Sequence, residues 1–253
     1  MTQPPASATP RAEILWRVQR FALLPSTNDV ALAAIEQGTA RAGDVYLAER
    51  QTAGRGQPGR QWRANDGALL FSAILPTQEP IAAASLAAGV AVATALRDLA
   101  YPAQLKWPND VLLAGRKVAG ILAEARGGLV VVGIGINANN RVADEVGFRT
   151  PAISLAEHAG RPVDREALLQ AILRALAATW AAWTRGGFAA IRPRWEPLDA
   201  CRGRRVAIGA GVTGIACGIG ADGSLRVQLD DGTWHHAVTG EVTFLQESTD
   251  GCE

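Results

Sequence analysis

Lysine is almost missing from this chain: 23 arginines stand against two lysines, Lys106 and Lys117, both inside KWPNDVLLAGRK. Cations that need only be charged and soluble are arginines, a bias that the abundant Ala and Gly tie to a GC-rich genome. Two lysines so close together suggest positions where a compact point charge does what a planar fork does not. Drift is the plain alternative, so the pair points to a site without naming one. Cysteine and histidine are as scarce, with three of each. Cys201, Cys217 and Cys252 have no metal-ligand spacing, and their odd number argues against a disulfide framework. His158, His235 and His236 form no cluster, the adjacent pair reading as a turn or strand end. Zinc chemistry and Cys/His nucleophiles are thereby disfavoured, and a reducing cytoplasm is the simplest expectation.

Excess charge is lacking too: a formal net charge of +1 gives no general pull towards nucleic acid or membrane. No apolar run approaches the ~20 residues of a membrane span. The start, MTQPPASATPR, lacks the apolar stretch of a secretion signal and reads as a short disordered arm over residues 1–13.

What is present describes a soluble globular protein, with 48% hydrophobic and 19% charged residues in a chain of 253. That length holds one large domain and a small one. Residues 14–24 alternate as a strand, and Ser26 or Thr27 can cap a helix over Asp29–Gln37, closed by Gly38. Val45–Glu49 reads as a strand leading into a Gly/Arg loop, Gln51–Gly67. A buried strand, Ala68–Leu75, precedes an alanine-rich helix from Pro80 to about Leu99. Short strands follow around Leu105, Val111–Leu113 and Val118–Glu124, then a Gly127–Gly128 hairpin into Leu129–Asn137. Asp164 caps a helix over Arg165–Trp183, with Leu168, Leu169, Ile172, Leu173 and Leu176 on its apolar face. Strands occur both in hairpins and after helices, so the sheet is predicted to be mixed. Beyond a boundary near Leu198 come Arg205–Ile208, Val212–Ile219, Leu225–Leu229, Thr233–Val238 and Val242–Leu245. Their Gly/Asp turns predict a small closed β-barrel over 199–247, followed by a tail, 248–253.

Three segments could carry chemistry. GRGQPGRQW (Gly54–Trp62) nearly fits a P-loop, yet Arg60 replaces its lysine, Gln61 its Ser/Thr, and no helical run follows. As bare composition it is equally a mobile solvated loop or an anion-closing one. GIGINA (Gly133–Ala138) matches a dinucleotide fingerprint superficially, but no helix face or second-strand acid follows. Its glycines more simply let a ligand lie against strand backbone. KWPND (Lys106–Asp110) could meet a nucleotide phosphate and its magnesium; an ordinary Pro-Asn-Asp turn explains it as well.

Taken in order, STND (Ser26–Asp29), Q-x-x-GRG…GR-x-W (Gln51–Trp62), KWPNDV (Lys106–Val111), GRKVAGIL (Gly115–Leu122) and GIGIN (Gly133–Asn137) resemble the biotin protein ligase family. The resemblance spans residues 14–247. It implies an α/β (α+β) fold like that of class II aminoacyl-tRNA synthetases and biotin synthetases: a mixed β-sheet flanked by helices, catalytic over 14–198, with an SH3-like barrel behind it. It also implies the reaction: biotin's carboxylate attacks the α-phosphate of ATP, and biotin then passes to a lysine of a biotin carboxyl carrier domain. Two anions must meet, so cations and Mg²⁺ matter more than a base. Carried over residue by residue, Lys117 sits at the carboxylate–phosphate junction, with Arg55 and Asp110 beside it as catalytic candidates. Arg55 and Arg60 neutralise phosphates, Trp62 packs beside the adenylate, and Lys106, Asn109 and Asp110 hold the triphosphate. Asp110 and Asn109 are also the expected Mg²⁺ ligands. Ser26, Thr27, Asn28, Gln51 and Arg55 take the biotin end, with Lys117 at its carboxylate, and Gly54, Gly56, Gly133 and Gly135 allow close approach there. Asn137 lies at the adenylate's sugar–phosphate end. Biotin and ATP are substrates, and no tightly bound prosthetic group is expected.

Many family members carry another basic residue where this chain has Gln57, followed by Pro58, which could stiffen the loop. Fewer than about 15 residues precede the first strand, too few for a DNA-reading helix-turn-helix, so the single-function type is expected, without nucleic-acid or membrane partners and with a homodimer possible at family level. A lipoate or octanoate ligase is the nearest rival; a non-catalytic, biotin-responsive regulator is the rival from another class. Biotin-dependent pyrophosphate exchange separates the first, and a sequence-specific DNA shift the second.

Overall fold

The structure is a computed structural model describing residues 14–57, 59–63, 65–142, 151–209 and 211–245. The arm, the tail, Cys252 and Pro58 lie outside the described residues. Apolar runs of strand length build the first sheet: β1 (Arg17–Leu24), β2 (Asp44–Gln51), β3 (Leu69–Pro76), β4 (Gln104–Lys106), β5 (Asp110–Leu113), β6 (Arg116–Arg126) and β7 (Leu129–Ile136). Their order is β1-β2-β3-β7-β6-β5-β4. Only β1 and β2 run parallel, joined through α1 (Thr27–Glu36), and every other neighbour is antiparallel. The sheet is mixed, as predicted. β1 begins three residues later than expected, because Arg17 is the first residue with a partner, Asp44 at the start of β2.

Ser26 caps α1, its side chain accepting from Asp29 N–H. Gly127 and Gly128 take φ of 58° and 75°, the left-handed pair that a tight β6–β7 hairpin needs. Helix α2 (Ala84–Asp98) covers one sheet face and is itself covered by α4 (Arg165–Gly186). The alanines of α2 bring it close: a Cβ on Gly89 would sit 3.3 Å from Leu105 Cδ2 and 3.5 Å from the Trp195 ring. Residues 81–98 are long and apolar enough for a membrane span by composition, but 67% of that stretch is buried inside the protein, as in a core helix. Asp164 caps α4, accepting from Glu166 and Ala167 N–H. Two short helices escaped periodicity, α3 (Leu155–Ala159), marked by its Ser154/Glu157 capping box, and α5 (Arg192–Trp195).

After α5 (Arg192–Trp195) come β8 (Arg205–Ile208), β9 (Val212–Ile219), β10 (Leu225–Gln228), β11 (Trp234–Ala237) and β12 (Val242–Phe244). All five predicted strands form, and the His235–His236 pair lies within β11. They pair antiparallel in the order β11-β10-β9-β8-β12. No pairing among the described residues joins β11 to β12, so the sheet is open where a closed barrel was predicted. Its two end strands are short, and each pairs on one side only. The boundary near Leu198 separates two sheets but not two cores. A single apolar cluster includes Leu105 and Ile121 from the first sheet together with Leu198, Val206, Val227 and Val242. Trp107 Nε1 also donates to Gly223 O at 3.0 Å across that join.

Candidate active site

A cavity of about 660 Å³ opens over the β6–β7 side of the first sheet. Its walls come from the β1–α1 turn, the loop after β2, the KWPND bend, β6, β7 and Glu241. Every candidate site residue lines it except Gly54. Gly54 instead pinches the loop: Trp62 N–H donates to its carbonyl at 2.9 Å, and a Cβ there would lie 2.4 Å from Trp62 O.

One end of the cavity is neutral and hydrogen-bonding. Ser26, Thr27 and Asn28 are buried because the start of α1 sits directly over β3 and β7. Gln51 Oε1, at the end of β2, accepts from Thr27 N–H at 2.7 Å. Asn28 Nδ2 donates to Glu124 Oε2 at 2.8 Å, and Ser72 Oγ lies 2.6 Å from Asn28 Oδ1. Arg55 belongs to this end through its guanidinium, which donates to Asp29 at 2.7 Å and Glu124 at 2.8 Å. Those carboxylates raise its pKa against the opposing effect of burial. The sequence reading put Arg55 on both phosphate and biotin; its guanidinium also braces α1 against β6.

The other end is charged. Lys117 Nζ pairs with Asp110 Oδ1 at 2.5 Å and stands 5.6 Å from the Trp62 ring centroid. Its backbone is held by residues 151–153, with Lys117 N–H donating to Pro151 O and Ile153 N–H to Lys117 O. Lys106 is 1% exposed. Burial lowers its pKa, while Asp110 and Glu241 oppose that shift. Asn109 Nδ2 donates to Ile121 O at 2.8 Å, and its Oδ1 accepts from Gln57 Nε2 at 3.2 Å. Arg60 reaches Glu241, just before β12, through two bonds of 2.8 and 2.6 Å. Asn137 is buried, its Oδ1 accepting from Asn140 Nδ2.

The glycines of β6 and β7 do not leave bare strand. A Cβ on Gly133 would fall 2.0 Å from Asn28 Oδ1, and one on Gly135 2.5 Å from the Trp62 ring. Gly120 is likewise covered by Trp62, at 2.8 Å. These glycines make room for Asn28 and the indole at the cavity that they line. Gly56 is less constrained, its nearest neighbour being Arg60 Cβ at 3.4 Å. Ser72, Asp29, Glu124 and Glu241 were missed from sequence. Ser72 carried a faint signal, as the one polar residue in a buried strand.

For magnesium, no group of three or more His, Cys, Asp or Glu side chains converges among the described residues. Asp110 and Asn109 offer one carboxylate and one amide oxygen at the cavity's charged end. That set fits an ion arriving with the triphosphate, since Mg²⁺ keeps several waters and takes few protein ligands.

Sheet and cleft together define the class: residues 20–139, which supply most of both, match the model of the Biotin/lipoate A/B protein ligase family. The Bifunctional ligase/repressor BirA of Escherichia coli is 38% identical over 82% of this chain and 68% of that protein. The biotin--[acetyl-CoA-carboxylase] ligase of Mycobacterium tuberculosis is 37% identical over 87% of this chain and 86% of its own. Among solved structures, the biotin protein ligase from Aquifex aeolicus in complex with biotin and ATP superposes with a TM-score of 0.79. At 28% identity it covers 91% of this chain and 99% of that one. This chain belongs to the biotin protein ligase family and is a ligase.

Proposed function

We propose that this chain joins biotin to ATP, forming biotinyl-5′-AMP and pyrophosphate, and then transfers biotin to a lysine of a biotin carboxyl carrier domain, such as that of acetyl-CoA carboxylase. One observation carries the reading: a single cavity unites a neutral hydrogen-bonding end at Thr27 and Gln51 with a cationic end at Lys106 and Lys117. A ureido ring suits the first, and a carboxylate meeting a triphosphate suits the second.

Two anions repel as they approach, and fixed cations aimed at the developing charge lower that barrier. Lys117 would stand between the biotin carboxylate and the α-phosphate. Asp110 holds its ammonium until the substrates compete for it. Lys106 would face the triphosphate from the base of the cavity. Arg60 would exchange Glu241 for a phosphate, giving the second sheet a part in nucleotide binding. Asp110 and Asn109 would hold Mg²⁺, which neutralises the phosphates when bound. Arg55, held by two carboxylates, would keep the biotin end in shape. Trp62 would pack beside the adenylate, with Asn137 near its sugar–phosphate end. In the second step an amine attacks the mixed anhydride. Free lysine is mostly protonated at neutral pH, so positioning must supply much of the rate.

The homodimer and the SH3-like identity of the second sheet belong to the same reading. Sizing with and without biotin and ATP tests the first. The test of function is transfer of labelled biotin to an isolated carrier domain with ATP and Mg²⁺. Incorporation that needs both, and that lipoate does not replace, is expected; no incorporation refutes the reading.

A further inference from the structure

Four side chains that close the neutral end form a chain with a fixed direction. Glu124 is ion-paired with Arg55 through Oε1, so its Oε2 can only accept from Asn28. Leu122 O, also an acceptor, lies on the same side of the Asn28 amide. Asn28 therefore turns its Nδ2 to Glu124 and its Oδ1 to Ser72. Ser72 Oγ lies 2.6 Å from that Oδ1 and 2.7 Å from Thr27 Oγ1. One hydroxyl proton cannot serve both. Asn28 Oδ1 has no proton to offer, so Ser72 donates to it and accepts from Thr27. Ser72 is fully buried and Asn28 nearly so, leaving water little means to reverse the order. Thr27 Oγ1 also lies 3.1 Å from Gln51 Oε1, but that oxygen already accepts from Thr27 N–H at 2.7 Å. A Thr27 proton turned to it would leave Ser72 Oγ and Thr27 Oγ1 facing each other at 2.7 Å with no proton between them.

We propose that Glu124, Asn28 and Ser72 are positioning residues that aim the Thr27 proton away from the cavity, making Thr27 Oγ1 a dedicated acceptor for a ligand N–H. Resting on the biotin reading above, this assigns Thr27 to a ureido N–H and makes Ser72 a determinant of specificity. A ligand presenting a lone pair there meets a lone pair, which a site built for a donor rejects.

The test uses the full-length protein and calorimetric binding of biotin and of two isosteric cyclic carbamates, each with one ureido N–H replaced by oxygen. The wild type is expected to bind one carbamate at least about tenfold more weakly than biotin. Ser72→Ala frees the Thr27 hydroxyl to turn towards Gln51 Oε1, 3.1 Å away, or towards a lone pair of the ligand, so that penalty should fall to about twofold, while biotin weakens roughly tenfold and KM for ATP stays put. Thr27→Val, which keeps shape and loses the hydroxyl, should weaken biotin similarly, and the double variant should bind biotin no more weakly than Thr27→Val alone. Circular dichroism and melting confirm that each variant is folded. Equal weakening of all three ligands by Ser72→Ala, or additive losses in the double variant, overturns the proposal. If the wild type does not bind biotin at all, the biotin reading itself fails.

Discussion

Replacing Lys117 by arginine separates charge from shape. The ammonium lies 2.5 Å from Asp110 Oδ1, with side-chain exposures of 27% for the lysine and 13% for the aspartate. A partly solvated pair of this kind contributes about 1 kcal/mol at most to stability. Arginine would keep the charge and could pair with Asp110 through its fork, so Lys117→Arg should fold and melt within a few degrees of the wild type. Adenylation is a different matter. The guanidinium spreads its charge over a plane and meets the Trp62 ring, whose centroid lies 5.6 Å from Nζ in the native protein. Losing one preorganised group aimed at a developing oxyanion costs ~2.7–4 kcal/mol, or roughly 10²–10³ in rate. Chemistry should therefore fall far more than stability. Biotin-dependent exchange of labelled pyrophosphate into ATP measures the first half-reaction, beside a thermal melt. Lys117→Met is the control, and arginine is expected to restore little of its loss. Exchange within threefold of wild type in the arginine variant would refute the point-charge argument.

Further outcomes can be measured directly. Burial holds the Lys106 pKa below the ordinary lysine value, so its charge, and with it kcat/KM for ATP, should decline on the alkaline side before a free lysine would titrate. Lys106→Arg should move that limb to higher pH, whatever its absolute rate. Gln57→Gly removes the bond to Asn109, so escape of free biotinyl-adenylate should rise about fivefold, as one neutral hydrogen bond allows. Rapid filtration of the intermediate would show it, and unchanged escape would mean that Gln57 does not hold the loop. Gly133→Ala forces a Cβ into Asn28 Oδ1 and should lower stability by roughly 1–3 kcal/mol in denaturant melts while weakening biotin more than ATP.

Sequence alone determined most of the elements and about half of the residues that line the cavity. Caps at Ser26 and Asp164, the Gly127–Gly128 turn and the apolar period of α4 are written within a few residues, and they formed where local chemistry put them. The two lysines also proved to share one cavity. Tertiary structure decided the pairings and the directions. Arg60 finds Glu241 across 181 residues and Arg55 finds Glu124 across 69, contacts that no local pattern encodes. The open order of the second sheet likewise depends on how strands meet, because turn spacing predicts strands but not whether the last closes on its neighbour. Glycines at 133 and 135 looked like bare floor, and packing placed Asn28 and Trp62 over them. A sequence lists donors and acceptors; only the folded chain decides which proton each must give away.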